Sequence, residues 1–346
     1  MRYRFMGKTG LLLSEFALGT NTFGGEGEFW KAFGALDQGQ TNKVIGAAFD
    51  AGINLLDTAD RYGDGESEVR AGQAIRDSSI GRDKVILATK VALRTGPDAN
   101  NVGLSRAHIL NAAEGSLRRL NTDYIDIYHL HNFDRKTALE ETLSALDLLV
   151  RQGKVRYVGC SNFTAWQIAK ARGIAMRDHL PLLSAAMVSY SVSERAAERE
   201  IIPFLLSDDI AMFAFGPLAA GLLTGKYTSD GQAPAGSRLS SGVPVSSANR
   251  PRALAAVEVM RPIAAEIGTT VGRIALAWLL RQPCVTSIVL GCKTVDQLHD
   301  NLLSADVVLT DQQLAALDAV CRPEPEYPFG QQASAAADRM PGGQGR

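Results

Sequence analysis

Short apolar runs alternate with amphipathic stretches along most of the chain, and this alternation predicts an α/β fold. Eight runs have the length and composition of strands, and they begin at Phe16, Asn54, Lys84, Tyr124, Val155, Leu182, Ile210 and Thr286. Each run is nearly continuous in hydrophobic residues, which is typical of parallel strands covered on both faces. Helical patterns such as TNKVIGAAFDAG, SRAHILNAAEGSLRRL and VGRIALAWLLRQ lie between them.

Eight strand–helix units in 346 residues predict a (β/α)8 TIM barrel over residues 1–322. A doubly wound sheet is the alternative, but that architecture rarely needs eight units. The opening YRFMGKTGLLLS predicts an N-terminal β-hairpin. Long loops are predicted after strand one (GGEGEFWKAFGALDQGQ) and, from Thr228 to Pro251, after strand seven. Residues 323–346 form a Pro- and Gly-rich tail, which we expect to be poorly ordered at its end.

Composition excludes some classes of function. The chain has 36 basic and 37 acidic residues and a net charge of −1, so neither nucleic acid nor an anionic membrane is an expected partner. No apolar run approaches the roughly 18 residues of a membrane helix. The N-terminal MRYRFMGKTG lacks the apolar segment of a secretion signal, so we expect a cytoplasmic protein.

The cysteines show neither C-x-x-C spacing nor a pairing pattern, and we expect free thiols at Cys160, Cys284, Cys292 and Cys321. Cys160, in YVGCSNF, could be a nucleophile. A buried small apolar residue is the simpler interpretation.

Ionisable side chains end three neighbouring strands. Strand two ends with Asp57, strand three with Lys90 and strand four with His131. Tyr62 lies in the loop just beyond strand two. Because active sites of such barrels lie at the carboxyl ends of the strands, we expect these four side chains to meet at one rim.

Such a set suits proton transfer to an oxygen atom. Lys90 would stabilise the phenolate of Tyr62 and lower the pKa of the phenol, while Asp57 would hold Lys90 in place. His131 would polarise the substrate oxygen. With no evident nucleophile, the site suits reduction of a carbonyl by hydride from a cofactor.

Other interpretations of the same residues stay open. Asp57 and Lys90 could be a structural ion pair. His129 and His131 point the same way on a strand and could be metal ligands, but a third ligand is missing, so no metal is predicted. We interpret His129 as an interior residue whose hydrogen bonds are satisfied.

A dinucleotide site is not visible as a Rossmann fingerprint, because Trp30 stands where GGEGEFW would need its third glycine. Barrels can instead bind phosphate with the loops after strands seven and eight. Here those loops are FGPLAAGLLTGKY, with Lys226, and LGCKTVDQLHDN, with Lys293 before a helix starting at about Thr294. Glycine-rich backbone and a helix N-terminus both favour an anion.

The chain resembles the aldo-keto reductase superfamily, in particular its bacterial and potassium-channel-subunit-like branches. The resemblance rests on DTADRYGDGESE, LATKV, DIYHLHNFD, GKVRYVGCSNF and PLAAGLLTGKY, and it runs from about Arg4 to Ala319. It implies that Asp57, Lys90 and His131 act with Tyr62, the proton donor.

The resemblance also implies a set of cofactor contacts. Ser161 and Asn162 would hold the nicotinamide carboxamide, and Phe215 would stack on the ring. The pyrophosphate would be lined by Gly216, Pro217, Leu218, Gly221, Leu223 and Lys226. The 2′-phosphate and adenine would be held by Gly291, Lys293, Gln297, Asp300 and Asn301. Gly19, Thr20 and Asp57 complete the expected cofactor contacts.

Two departures from the family pattern concern the cofactor. Met187 replaces the usual glutamine, so one hydrogen bond to the carboxamide is lost and a softer contact with the cofactor replaces it. Gln297 stands where many NADPH-specific members have arginine, but Lys293 alone can hold the 2′-phosphate with about 1.5–3 kcal/mol. We therefore favour NADPH/NADP+, with NADH possible.

Aromatic residues in the loop after strand one could wall a hydrophobic substrate pocket or simply pack the loop onto the barrel; they are Phe23, Phe29, Trp30 and Phe33. We expect an uncharged, fairly bulky carbonyl substrate. The leading hypothesis is an NADPH-dependent carbonyl reductase. The alternatives are a nucleotide-sensing binding subunit with little turnover and a cofactor-free isomerase or lyase.

Overall fold

The computed structural model of the chain describes residues 1–227, 237, 240 and 250–338. The predicted loop from Thr228 to Pro251 therefore lies almost wholly outside the described residues, and its last two residues already belong to a helix. Residues 339–346, the end of the predicted tail, also lie outside them.

Eight parallel strands close into a barrel, which confirms the predicted architecture. Strand order follows chain order, and the last strand pairs with the first. The barrel strands are β3 (Phe16–Gly19), β4 (Leu55–Asp57), β5 (Ile86–Val91), β6 (Ile125–Leu130), β7 (Val155–Ser161), β8 (Leu183–Ser189), β9 (Ala211–Phe215) and β10 (Val285–Gly291). Each begins within two residues of its predicted start.

The predicted hairpin is present as β1 (Tyr3–Phe5) and β2 (Leu12–Ser14), which pair antiparallel. Its buried residues Met6 and Leu13 pack against side chains inside the barrel. The Ser14 N–H donates to Asn54 Oδ1 at 2.8 Å, just before β4 begins. The hairpin thus closes the end of the barrel opposite the carboxyl ends of the strands.

Helices pack around the barrel, and their apolar faces form the main core with the outward side chains of the strands. The helices between β3 and β8 are α1 (Gly27–Phe33), α2 (Gln38–Asp50), α3 (Glu66–Asp77), α4 (Arg106–Leu120), α5 (Leu139–Arg151) and α6 (Ala165–Arg177). Those that follow β8 are α7 (Ile201–Ser207), α8 (Arg250–Ile267), α9 (Val271–Leu280), α10 (Val295–Leu302), α11 (Asp311–Cys321) and α12 (Phe329–Asp338).

Two of these helices lie where the sequence predicted irregular chain. α1 occupies part of the long loop after β3, and α12 lies in the Pro- and Gly-rich tail. No single helix among the described residues is long and apolar enough to cross a membrane; α8 and α9 pass that test only as a pair, and they are bent by 96°.

Side-chain alternation along the strands directs ionisable groups into the barrel. Ala88 and Ile127 face the interior. Lys90 and His129 lie two residues further along the same strands and therefore face it as well. The same period carries His131, just beyond β6, to the carboxyl-end mouth. The fold thus gathers the predicted site at one opening.

The cysteines are buried free thiols, as predicted. Cys160 lies on β7 in the main core. Burial raises the pKa of its thiol to about 12. The thiol therefore stays protonated at neutral pH and is a poor nucleophile.

Candidate active site

Lys90 is the centre of the site and is completely buried on β5. Its Nζ donates to Asp57 Oδ2 at 2.8 Å and to the Thr58 carbonyl at 2.6 Å. It lies 3.2 Å from the phenol oxygen of Tyr62. An ammonium group has three hydrogens, so these contacts use all of them. The structure therefore brings Asp57 and Tyr62, two sequence-predicted residues, to one cation.

A left-handed turn positions Tyr62. Tyr62 is the first residue of a short 3-10 turn, Tyr62–Gly65. In this turn Gly63 has a φ of 58° and Asp64 a φ of 57°. A Cβ at Gly63 would lie 3.0 Å from the Gly25 amide nitrogen and from the Phe23 carbonyl oxygen. Glycine is thus required here both by φ and by the close approach of the loop after β3.

His131 lies beside the phenol at the mouth of the barrel. Its ring meets that of Tyr62 edge to face, with centroids 5.7 Å apart. Its N–H main-chain group donates to the Val91 carbonyl at 2.7 Å. Its Nδ1 is buried and has no hydrogen-bond partner among the described residues. A carbonyl oxygen entering between Tyr62 and His131 would find two side chains able to donate to it.

His129 matches our prediction of an interior residue, but its hydrogen bonding is weaker than we predicted. It is fully buried, but neither ring nitrogen has a hydrogen-bond partner in the described part of the chain. Its ring packs edge to face on Phe213, with centroids 5.7 Å apart. A Cβ at Gly159 would lie 2.5 Å from its Nδ1, so the imidazole fills space that only glycine leaves. Apolar packing holds this ring, together with an interaction with the Cys160 backbone.

The electrostatic state of Tyr62 also differs from expectation. We predicted that Lys90 lowers the pKa of the phenol. The ammonium does act in that direction, but burial is the larger effect, so the pKa of Tyr62 is raised overall. The phenol is therefore protonated in the resting site and holds a proton that it can give away.

The neighbouring groups have the charges that this role requires. Burial alone would lower the pKa of Lys90, but Asp57 and Tyr62 raise it above the ordinary value, so the ammonium stays charged. Burial raises the pKa of Asp57, and the adjacent ammonium opposes that rise. Burial and the positive charge of Lys90 hold the pKa of His131 well below its usual range, so its imidazole is neutral.

Asp60 is a buried acid near the site that the sequence did not single out. It is 3% exposed, and among the described residues its carboxyl has no side-chain partner, only an interaction with the Arg61 backbone. Burial, with the charge of Glu68, raises its pKa to about 8. Glu68 is itself held by Thr89 and, at 2.7 Å, by Arg119. The one sequence signal for Asp60 is its position in DTADRYG, between the predicted site residues Asp57 and Tyr62.

The loop after β9 offers open backbone, as a phosphate site needs. Gly216 is exposed with a φ of 67°, and the nearest atom to a Cβ placed there is Ser189 Oγ at 4.0 Å. Gly221 has a φ of 93° and lies near Lys226, whose side chain is exposed. Leu223 is fully buried in the core, so only its backbone can face a ligand.

The loop after β10 contains the second set of residues that we predicted to bind phosphate. Thr294 caps α10 by accepting from the Gln297 N–H at 3.2 Å. Gln297 Oε1 in turn accepts from the Lys293 N–H at 2.9 Å. The Lys293 ammonium donates to the carbonyl of Ala32, in α1, at 3.2 Å. Gly291 is exposed beside them.

Two further predicted contacts of this loop have side-chain partners. Asp300 accepts from Arg273 Nε at 3.0 Å. Arg273, at the start of α9, was missed from the sequence because nothing local connects it to α10. Asn301 Nδ2 lies 3.6 Å from Cys292 Sγ, which fixes the amide against the base of the loop.

The predicted nicotinamide contacts lie at the ends of adjacent strands. Asn162 has a φ of 57° and donates from Nδ2 to the His131 carbonyl at 3.0 Å and to Ser161 Oγ at 3.1 Å. Ser161 pairs with Met187 across β7 and β8. Phe215, half-buried, ends β9. The remaining predicted contacts lie on or near β3 and in the loop after β9: Gly19, Thr20, Pro217 and Leu218.

The aromatic residues of the loop after β3 divide into two groups. Phe23 is fully buried in the main core, so it packs the loop onto the barrel. Phe29, Trp30 and Phe33 form a ring cluster on α1, with centroids 5.0 to 6.0 Å apart. Trp30 Nε1 donates to Asp64 Oδ2 at 2.8 Å, so this cluster adjoins the turn that carries Tyr62.

Comparison with known proteins agrees with this geometry. The model of the Aldo/keto reductase family matches residues 15–322. The chain is 33% identical to a "Probable voltage-gated potassium channel subunit beta" of Arabidopsis thaliana, over 95% of this chain and 99% of that protein. It is 34% identical to the "Uncharacterized oxidoreductase YrpG" of Bacillus subtilis, over 92% and 96%. It is 31% identical to the "L-glyceraldehyde 3-phosphate reductase" of Escherichia coli K12, over 92% of both.

The family match covers every barrel strand and the loops after β9 and β10. Together with the closed parallel barrel and the Lys90-centred site, it shows that this chain belongs to the aldo/keto reductase family.

Proposed function

We propose that this protein reduces an aldehyde or ketone to the alcohol with NADPH, and that Tyr62 donates the proton. The observation that carries the proposal is the Lys90 ammonium, which lies 3.2 Å from the phenol oxygen and is held by Asp57 at 2.8 Å. A bound nicotinamide cofactor supplies the hydride. The side chains of the chain itself handle the proton.

Each residue has a separate task in this proposal. Tyr62 starts protonated, because burial raises the pKa of its phenol. As the proton leaves, the phenolate gains the attraction of the fixed ammonium, which needs no reorganisation in the water-poor site. The neutral His131 imidazole can donate an N–H to the same carbonyl oxygen and polarise it. Asp57 positions and charge-balances Lys90.

The residues at the mouth fit a phosphorylated dinucleotide. Positive-φ glycines, of which Gly216 is exposed, and Lys226 follow β9, while Gly291 and Lys293 follow β10. Backbone N–H groups and ammonium groups are the donors that phosphate prefers. Because Lys293 lies at the outer loop with Gln297 and the Asp300–Arg273 pair, we propose that it recognises the 2′-phosphate and favours NADPH over NADH.

We propose an uncharged, fairly bulky carbonyl compound as the substrate. The half-open ring cluster of Phe29, Trp30 and Phe33 supports this class, since it lies next to the turn that carries Tyr62. Arg61 also lies at this rim, but it pairs with Asp64 and stacks on Trp30. The rim therefore offers apolar surface and a neutralised cation.

The function can be tested with purified protein, NADPH and a panel of aliphatic, aromatic and cyclic aldehydes and ketones, followed by the loss of NADPH absorbance. We expect turnover with uncharged compounds and a fall in kcat of about 10²–10⁴-fold in Tyr62→Phe, because the general acid is removed. Tyr157→Phe is the matched control, since that phenol lies on β7 and packs against the interior cluster. Full activity in Tyr62→Phe would show that another group donates the proton.

A nucleotide-sensing binding subunit is the second candidate, and the name of the Arabidopsis relative favours it. This candidate predicts tight cofactor binding, negligible turnover across the panel and a stable membrane-protein partner. The complete proton-transfer set around Lys90 favours the reductase, because a binding subunit does not need an acid held beside a buried cation.

A further inference from the structure

The short helix α1 contacts two parts of the site that are far apart in sequence. The Lys293 ammonium donates to the Ala32 carbonyl near one end of the helix, at 3.2 Å. The indole N–H of Trp30 donates to Asp64 Oδ2 at 2.8 Å. Lys293 belongs to the proposed 2′-phosphate site, whereas Asp64 belongs to the turn that begins with Tyr62.

The contact with Lys293 supplies a hydrogen-bond donor at the C-terminal end of α1. Ala32 lies in the last turn of α1, where carbonyl groups have no partner within the helix. The ammonium provides that partner. A second bond joins the same two loops, because Thr22 Oγ1 donates to the Cys292 carbonyl at 2.9 Å. The loop after β3 is thus fastened to the loop after β10 at two points.

The contact with Asp64 holds an unusual backbone conformation. Asp64 has a φ of 57°, which side chains other than glycine rarely adopt. Its carboxylate is held from two sides, by the Trp30 indole and by an ion pair with Arg61. The Arg61 guanidinium also lies 5.7 Å from the centre of the Trp30 ring. A shift of α1 would therefore be felt in the turn that carries Tyr62.

We propose that α1 is a positioning element that couples occupancy of the 2′-phosphate site at Lys293 to the turn that carries Tyr62. This inference rests on the proposed function, because it takes a nucleotide 2′-phosphate as the ligand of Lys293. An ammonium group has three hydrogens, so it can bind a phosphate oxygen and keep the Ala32 carbonyl. The anion then fixes the ammonium, the ammonium fixes α1, and Trp30 passes the restraint to Asp64.

The coupling can be tested by amide hydrogen–deuterium exchange with two small nucleotides. The probes are 2′,5′-ADP, which carries the 2′-phosphate, and 5′-AMP, which is the same molecule without it. Both are used at saturation, as measured by calorimetry. We expect 2′,5′-ADP to slow exchange several-fold in residues 27–36 and 61–66, and 5′-AMP to leave both segments unchanged.

The possible results separate the coupling from the proposed function. If both nucleotides bind and exchange in the two segments is equal, or faster with 2′,5′-ADP, the coupling is wrong and the cofactor site stands. If neither binds, the cofactor site and the coupling are both wrong. This comparison uses the unchanged protein, so it does not depend on the folding of any variant.

Two variants on α1 locate the contact point. Trp30→Phe keeps a ring but removes the N–H donor, so 2′,5′-ADP should bind within about twofold of the wild-type affinity and still protect residues 27–36. Protection of residues 61–66 should be lost. Lys31→Met is the matched control, because Lys31 is exposed on the same helix and pairs with Glu28 on the solvent side. Retained protection of residues 61–66 in Trp30→Phe would overturn the role of the indole.

Discussion

The two sides of the barrel mouth hold their polar groups in different ways. On the β4–β6 side, Lys90 is fully buried and all of its ammonium hydrogens are engaged. On the side of the β9 and β10 loops, Lys226 and the glycines at 216 and 291 are exposed. A charge in dry surroundings interacts strongly and is costly to leave unpaired, whereas an exposed charge is screened by salt. In the proposed function, the buried side carries the proton transfer and the exposed side binds the cofactor.

The largest effect on kcat and on stability should come from removing the buried ammonium group of Lys90. In Lys90→Met we expect kcat to fall by about 10²–10⁴-fold, because the departing proton leaves an unstabilised phenolate. Unfolding by urea should also show a loss of about 3–5 kcal/mol, since Asp57 stays buried without its partner. Lys84→Met, just before β5, is the control. A kcat within a few-fold of wild type would break the contrast between the two sides.

The next effect should come from the exposed side. In Lys293→Met we expect the KM for NADPH to rise by about 10–100-fold, which corresponds to the loss of about 1.5–3 kcal/mol of a charge-assisted contact. The KM for NADH should be nearly unchanged, and kcat should fall by at most a few-fold, because the variant also loses the bond from Lys293 to the Ala32 carbonyl of α1. Added salt should raise the KM for NADPH in the wild type and have a smaller effect in the variant. Equal increases for both cofactors would show that the lysine does not recognise the 2′-phosphate.

Asp60 tests how dry the β4–β6 side is. Its pKa in the folded protein, about 8, lies above the ordinary value of 3.8. Between those values the unfolded chain loses the proton and the folded protein keeps it, so this group makes the protein less stable as pH rises. Asp60→Asn removes that penalty. Urea unfolding should show the variant gaining about 1–3 kcal/mol over wild type between about pH 4 and about pH 8. Parallel stability curves would mean that water reaches the carboxyl.

The smallest effect should come from restoring a hydrogen bond. Met187→Gln replaces the buried thioether at the end of β8 with a carboxamide of similar size. We expect the KM to fall by about 2–10-fold for NADPH and NADH alike, as one net hydrogen bond is worth about 0.5–1.5 kcal/mol. An effect on NADPH alone would place this side chain near the 2′-phosphate instead of the nicotinamide.

The barrel and the gathering of ionisable side chains at its rim could be predicted from sequence, because both depend on local patterns. Continuous apolar runs marked the strands, and the positions of Lys90 and His131 at strand ends predicted that both lie at the mouth. Asp57 ends its strand as predicted. The same reasoning found the loops that hold Lys226 and Lys293, since glycines and helix starts are visible in the sequence.

The features that the sequence did not predict depend on contacts between distant segments. The link from Trp30 to Asp64 joins two loops, and the Arg273–Asp300 pair joins two helices. The direction of the Tyr62 pKa shift depends on how completely the fold buries the phenol. The missing partners of His129 depend on what surrounds it in three dimensions. The hydrophobic periodicity of a sequence does not predict contacts between distant segments.

The N-terminal hairpin has a consequence for the order of events. Because Met6 and Leu13 pack into the end of the barrel opposite the carboxyl ends of the strands, we expect substrate and cofactor to reach Tyr62 from the carboxyl-end mouth. Of the two ligands, the one bound deeper in the mouth must then bind first and dissociate last. Product inhibition patterns should therefore be those of a compulsory sequence rather than of random arrival.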